Sequence, residues 1–210
     1  WIAANVRALQ HERIGAVGAR MPGKADGFFA RCTDFASFGD FQHGRVKDIP
    51  LAAASMAVWR SIFEQAGGFD NSMVAGEEED TDLCHRIQRL SYRTIYHPSI
   101  VITHDHRRDT LGKLLRHTYR QGLRRGLETK LAHRELGMRN RLLSNVQSPP
   151  LFLLCLPLIA LAATLRIVAL NVRERKQVIL YSPFIFLSKI TYNYGIFMHL
   201  LQKSRRGKML

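Results

Sequence analysis

The chain has 210 residues, with 31 Lys and Arg against 17 Asp and Glu and a formal net charge of +14. The charge is lopsided: residues 1–100 hold 11 Lys/Arg against 12 Asp/Glu, and residues 101–210 hold 20 against 5. That asymmetry argues against a uniformly basic nucleic-acid binder, and Cys32, Cys84 and Cys155 lack the pairing of a metal-ligand pattern, so they read as reduced cytosolic thiols.

In chain order, residues 21–50, rich in Phe, Gly and Asp, read as a long functional loop or a small subdomain. Residues 53–70 read as a short helix stopped by Gly67 or Gly68, either of which supplies a left-handed C-terminal cap, and followed by a turn. An acidic run, Gly76-Glu77-Glu78-Glu79-Asp80-Thr81-Asp82, then leads into Leu83, Ile87 and Leu90 at i, i+4 and i+7. This spacing predicts an amphipathic helix starting near Glu79, with its apolar stripe buried and its acids in the first turn. Carboxylates there are favoured by the unpaired amides and the helix dipole, by roughly 0.3–1 kcal/mol each. Alternatively, Asp80 faces a pocket as a general base or metal contact. Tyr92 to Tyr96 and Ser99 to Thr103 are β-branched runs separated by His97-Pro98, which predicts two strands or one interrupted strand. His104-Asp105-His106-Arg107 follows, just past a strand end, where α/β folds place ligand sites.

Taken together, Gly15-Ala16-Val17-Gly18-Ala19-Arg20, Ala54-Ser55-Met56-Ala57-Val58, Gly67-Gly68-Phe69-Asp70, Glu79-Asp80-Thr81-Asp82-Leu83, Tyr96-His97-Pro98 and His104-Asp105-His106-Arg107 resemble the second half of the catalytic domain of glycosyltransferase family 2. The resemblance covers roughly residues 1–126. It implies an α/β fold, the C-terminal portion of a GT-A (nucleotide-diphospho-sugar transferase) domain, and transfer of a sugar from a nucleoside-diphosphate sugar to an acceptor hydroxyl with inversion. The residue matching Asp80 is then the catalytic base, with Glu79 in support. His104 matches a histidine at the metal or diphosphate site, where Mg²⁺ or Mn²⁺ offsets the leaving-group charge. Asp82, His106 and Arg107 are weaker acceptor or diphosphate contacts. The family's donor Asp-x-Asp is not found ahead of residue 76, and Asp80-Thr81-Asp82 opens a helix and is not taken for it. The chain therefore resembles a fragment lacking the N-terminal nucleotide-binding half.

The implied organisation is a catalytic half-domain over residues 1–109, a basic amphipathic helical segment over 110–147, hydrophobic membrane-associated or transmembrane helices over 148–203, and a basic tail over 204–210. In the second segment Leu111, Leu114, Leu115, Leu123, Leu127 and Leu131 recur at helical intervals among Lys113, Arg116, Arg120, Arg124, Arg125, Lys130 and Arg134, with an interruption expected at Gly122 or Gly126. Gln121 and Arg124 weakly resemble the Gln-x-x-Arg-Trp element of processive members; Arg125 stands where Trp would, so a single transfer to a lipid-linked or glycan acceptor is expected. Residues 149–165 are uncharged and long enough to approach a span, and residues 178–201 either span or lie in the interface. Arg173, Arg175 and Lys176 between them argue against a hairpin whose loop lies outside. The expected location is the cytoplasmic face of a membrane, the bacterial inner membrane, in cell-envelope glycan or glycolipid synthesis and with no nucleic-acid partner. A membrane-anchored, non-catalytic scaffold derived from such a transferase is the alternative.

Overall fold

A computed structural model describes residues 1–24, 26–70, 79–125 and 149–206. Glu77, Glu78, Gly126, Leu127, Lys130, Leu131 and Arg134, and the side chains of Arg124 and Arg125, lie outside the described residues. The described elements run α1 (Ile2–Leu9), β1 (Ile14–Arg20), α2 (Phe28–Phe38), β2 (Lys47–Asp48), β3 (Met56–Val58), α3 (Arg60–Gln65), α4 (Glu79–Arg89), β4 (Arg93–Val101), α5 (Leu111–Arg125), α6 (Pro149–Asn171) and α7 (Val178–Arg206).

The four strands form one mixed sheet in the order β2-β4-β1-β3. β1 pairs in parallel with β4, Val17 opposite Ile95, while β3 and β2 add antiparallel edges. β1 is buried along most of its length and reads as an apolar run, while β4 is buried over Thr94 to Tyr96 and at Ile100. This is a mixed α/β architecture with a C-terminal apolar helix, as expected at that level. The two β-branched runs are one strand, and the β1 register shifts between His97 and Val101, around Pro98, whose missing amide cannot serve a continuous ladder.

Helix α4 has the predicted stripe: Leu83, Cys84 and Ile87 are buried against Ala16, Leu51, Ile62 and Tyr96. Leu90 is a correction, being 39% exposed, because the helix stops at Arg89 and Ser91 turns into the left-handed region at φ 65°. Gly67 and Gly68 have φ of 83° and 67°. Their amides bond Glu64 and Phe63 carbonyls at 3.0 and 2.9 Å, a Schellman cap on α3.

Two other expectations change. Residues 21–50 carry an 11-residue helix, α2, where a loop or small subdomain was expected. Residues 53–59 are a 3₁₀ turn (Ala53–Ser55) and the edge strand β3, so helix begins only at Arg60. Met56 to Val58 pair with Val17 and its neighbours, and tertiary pairing overrides the local preference for helix.

The C-terminal helices pack on α2. Cys32 and Phe35 of α2, Leu114 of α5, Ile167 of α6 and Val178, Tyr181 and Ile185 of α7 form one cluster. Helices α5 and α7 run side by side in the same direction: Leu114 and Ile185 share that cluster, Thr118 and Thr191 hydroxyls are 2.8 Å apart, and Gly122 meets Tyr192 and Ile196. Gly122 does not interrupt α5. A Cβ there would overlap the Tyr192 carbonyl oxygen, and one on Gly195 the Tyr119 carbonyl oxygen, so the crossing uses two glycines to bring backbones together. Among the described residues one helix, α6, is long and apolar enough to cross a membrane, which is weak evidence for membrane association. Its Leu154, Leu158 and Leu165 are 76%, 68% and 59% exposed. α7 is different, burying Ser188 and Asn193 and sending the Lys189 ammonium to the Ala36 carbonyl at 2.7 Å.

Gly122→Ala should destabilise the fold by about 1–3 kcal/mol, because a backbone carbonyl cannot step aside as a side chain can. Gly112→Ala, on the same helix with nothing within 4 Å of its Cβ, should stabilise by up to about 1 kcal/mol. Thermal unfolding of the two variants checks both signs; equal midpoints would refute the tight crossing.

Candidate active site

Asp80 stands in the first turn of α4, one residue after Glu79. Its Oδ1 accepts the Thr81 amide at 2.8 Å and its Oδ2 accepts the Ala53 amide at 3.0 Å. The second bond ties the helix start to the 3₁₀ turn ahead of β3, so the carboxylate is held from both sides. The Thr81 hydroxyl also donates to Oδ1, at 3.5 Å; a carboxylate has about four acceptor positions, and three are engaged here. The half-buried Asp80 is therefore oriented yet retains capacity to accept a proton from a further hydroxyl. Asp82 is committed elsewhere: Arg86 Nε donates to its Oδ2 at 2.8 Å, one turn along the helix, with Nη2 ion-paired at 2.7 Å, and Arg86 also reaches the Ala66 carbonyl.

The histidine pair lies past the C-terminal ends of β1 and β4, the end at which the Asp80 turn also sits, since Ser55 beside Ala53 accepts the Ala19 amide at the close of β1. After β1 and β4 end, the two segments stay joined: the Ile102 amide bonds Arg20 at 3.0 Å, the His104 amide bonds Pro22 at 2.9 Å, and the Lys24 amide bonds His104 at 3.0 Å. His104 and His106 therefore turn the same way. Their rings stack at 4.6 Å, and Phe38 of α2 stacks on His106 at 4.8 Å. His106 Nε2 sits 2.9 Å from Oδ1 of Asp34, both side chains almost wholly buried, though off the line of a good hydrogen bond. Arg31 lies 3.7 Å from the other Asp34 oxygen. Arg107 is exposed at φ 49°, with Asp105 3.5 Å away. Gln121 is half-buried on α5.

His104, His106 and Asp34 thus come together. Asp80 and Asp82 form a second group on α4, and no hydrogen bond, ion pair or ring contact joins the two groups among the described residues. The described residues contain no group of three or more His, Cys, Asp or Glu able to hold a metal ion. His104 offers one imidazole, which by itself falls short of a divalent-cation shell. Asp34, Arg31 and Phe38 carried no signal in the sequence beyond a lone acid and base in a Phe-rich run.

The electrostatics follow burial. Burial holds the His104 imidazole below its ordinary range, with His106 and Arg108 adding to the effect against Asp105 and Asp34. Burial also lowers His43, with Lys47 next in weight, against the pull of Asp40 and Glu174. The geometry agrees, since His43 Nδ1 accepts the Arg45 amide at 3.1 Å, a bond only the neutral ring can make on that nitrogen. Burial pushes the Cys32 and Cys84 thiols up to about 12, so neither is a nucleophile near neutrality.

The chain is 38% identical over 65 residues to a protein named pre-mycofactocin glycosyltransferase in two strains of Mycobacterium tuberculosis, CDC 1551 / Oshkosh and ATCC 25618 / H37Rv. The matched stretch is 31% of this chain and 13% of the relative's length. No family model matches the chain, and neither does any solved structure.

Because the folded state holds His43 and His104 below their ordinary value of about 6.5, it binds fewer protons than the unfolded chain in the acid range. Their contribution is complete above about pH 6.5 and is lost as the pH falls. The denaturant midpoint should drop between about pH 7 and pH 5, and His43→Gln should make that drop shallower. An unchanged slope in the variant would show that His43 titrates alike in both states.

Proposed function

We propose that this chain is part of a glycosyltransferase, in which Asp80 takes the proton from an acceptor hydroxyl as the hydroxyl oxygen attacks the anomeric carbon of a nucleoside-diphosphate sugar. The observation that carries the reading is the Asp80 carboxylate, fixed by the Ala53 and Thr81 amides at the start of α4 yet retaining acceptor capacity. A sugar hydroxyl is a poor nucleophile, and a carboxylate at hydrogen-bond distance supplies the base it needs. The partial likeness to a named glycosyltransferase supports the class of reaction.

The finer points rest on the resemblance to glycosyltransferase family 2. Attack from the face opposite the departing diphosphate inverts the anomeric carbon. Glu79 supports Asp80, while Asp82 serves α4 through Arg86. His104 lies on the diphosphate side and contributes one ligand to Mg²⁺ or Mn²⁺; the other ligands come from outside the described residues, and no step here runs through the metal. By the same resemblance, Gln121 and Arg124 are assigned to contact with a lipid-linked or glycan acceptor. The exposed leucines of α6 and the basic charge of the second half favour a membrane surface, with the α/β layer on the cytoplasmic side and the product a cell-envelope glycan or glycolipid.

Asp80→Asn should lower sugar transfer by roughly 10²–10⁴-fold while the fold persists, since the amide oxygen still accepts the Ala53 amide. The measurement is transfer of labelled sugar from nucleoside-diphosphate donors into the lipid and glycan fractions by the protein that carries this chain. Wild-type transfer by the variant would remove Asp80 from the base role. Loss of transfer with stability intact would count against the non-catalytic scaffold.

A further inference from the structure

The turn between α6 and α7 is docked on the α/β layer. Asn171 donates to the Gly39 carbonyl at 3.0 Å, Arg166 makes a two-pronged pair with Asp40 at 3.0 and 2.6 Å, and Arg175 donates to Gln42 at 3.1 Å. Between this turn and α2 the structure leaves a recess of about 650 Å³, walled by Arg31, Asp34, Arg173, Arg175, Lys176 and Tyr181, and also by Glu174. That is the size range of ligand sites.

The charges in the recess do not balance. Arg31, Arg173, Arg175 and Lys176 face two acids, Asp34 and Glu174; Arg31 also pairs with Asp26, and Arg173 and Lys176 are exposed. Asp34 lies against His106 and Arg31, while the Glu174 carboxylate lies near Gly44, so three cations besides Arg31 share one acid at the recess. Arg173 and Lys176 have no carboxylate partner among the described residues. Arg175 is half-buried, and its one side-chain hydrogen bond among the described residues is to a neutral amide. Cations gathered at one recess repel one another unless an anion joins them.

The position of the recess selects the kind of anion. Directly after it in the chain, Ile179 and Leu180 are 54% and 67% exposed, and the neighbouring helix α6 also leaves Leu154, Leu158 and Leu165 uncovered. A lipid whose phosphate is held in the recess could lay its hydrocarbon on these uncovered side chains, and Tyr181, buried against α2, forms part of the recess wall. Guanidinium groups match phosphate oxygens in a planar fork, and Lys adds a point charge.

We propose that this recess binds the phosphate headgroup of an anionic glycerolipid, with the acyl chains along the apolar face of α6 and the start of α7. The site goes beyond the transferase chemistry and rests on the membrane-surface part of the proposed function. It fixes the depth and rotation of the hairpin relative to the lipid. Through Arg175, Gln42 and the Met21 carbonyl, bonded by Gln42 at 2.6 Å, it touches the segment that follows β1.

The test is titration of the full chain, in a neutral detergent, with phosphatidylglycerol, read by native mass spectrometry. Arg173→Gln/Lys176→Gln should weaken binding about thirtyfold, from two cations near a lipid phosphate. The charge-matched Arg7→Gln/Arg60→Gln, far from the recess in sequence and exposed, should leave it unchanged. Glycerol 1-phosphate and inorganic phosphate, which share the headgroup chemistry without the chains, should fail to displace the lipid at equal concentration. Equal weakening by the two double variants would overturn the proposal, as would displacement by the soluble phosphates. Retention of the chain on phosphatidylcholine vesicles and sugar transfer by the Arg173→Gln/Lys176→Gln variant report separately on membrane association and on the transferase reading, so the failure of one is distinguishable from the failure of the others.

Discussion

The parallel pairing of β1 with β4, and its continuation past both strand ends, is the constraint on which the polar half of the molecule depends. Backbone amides that leave a sheet must find partners or water, and here they find each other through Ile102, His104 and Lys24. The pairing is thereby kept as far as His104, and His104 and His106 turn toward α2 while Asp105 and Arg107 are exposed. A slip of one residue would bring Asp105 toward Asp34, two carboxylates at a site almost closed to water. Burial of Asp34 is tolerable only with imidazole and guanidinium on either side of it, so the register and the ion cluster specify one another.

Helix α2 transmits that arrangement to the C-terminal helices. One side carries Asp34 and Phe38 toward the histidines, and the other carries Cys32 and Phe35 into the cluster with α5 and α7. The contacts that seat the hairpin differ in weight. The Arg166–Asp40 pair is substantially exposed and is worth on the order of 0–1 kcal/mol. The Asn171 bond to Gly39 is fully buried, and its loss would leave a polar group without water, at a cost of about 1–3 kcal/mol. Glycine at position 39 lets the hairpin approach, since a Cβ there would stand 2.9 Å from Ile167.

How much of this was legible in the sequence varied with locality. The α4 helix was legible because its signals are local: apolar residues at i, i+4 and acids in one turn. Its end was overread at Leu90, since the stop is a left-handed Ser91, a residue type that does not advertise that conformation. The glycine cap of α3 was legible for the opposite reason. Helix α2 was hidden because it is buried on two sides. Ala30, Cys32, Thr33, Asp34, Phe35 and Ala36 leave no polar stripe to set a period. The approach of Asp34 to His106 spans 72 positions and depends on the sheet register, which no local pattern encodes.

The arrangement of α5, α6 and α7 also bears on how a bilayer would meet them. The cations at 173, 175 and 176 argued against a loop on the far side of a membrane, and the loop is in fact seated on the α/β layer, so the conflict does not arise. A perpendicular crossing by α6 raises another difficulty. Helices α5 and α7 run alongside each other away from the layer, α6 packs on α7, and α5 exposes Arg116 and Arg120 within the same bundle. Crossing as a unit would draw those arginines toward hydrocarbon, at roughly 2.5–3.5 kcal/mol each near the centre. Lying in the interface avoids that cost: the Leu154, Leu158 and Leu165 face enters the acyl region while the arginines of α5 stay at headgroup level, where long cationic side chains are favoured. On the lipid-site proposal, the uncovered leucines and the cations of the recess would then be met by the same leaflet.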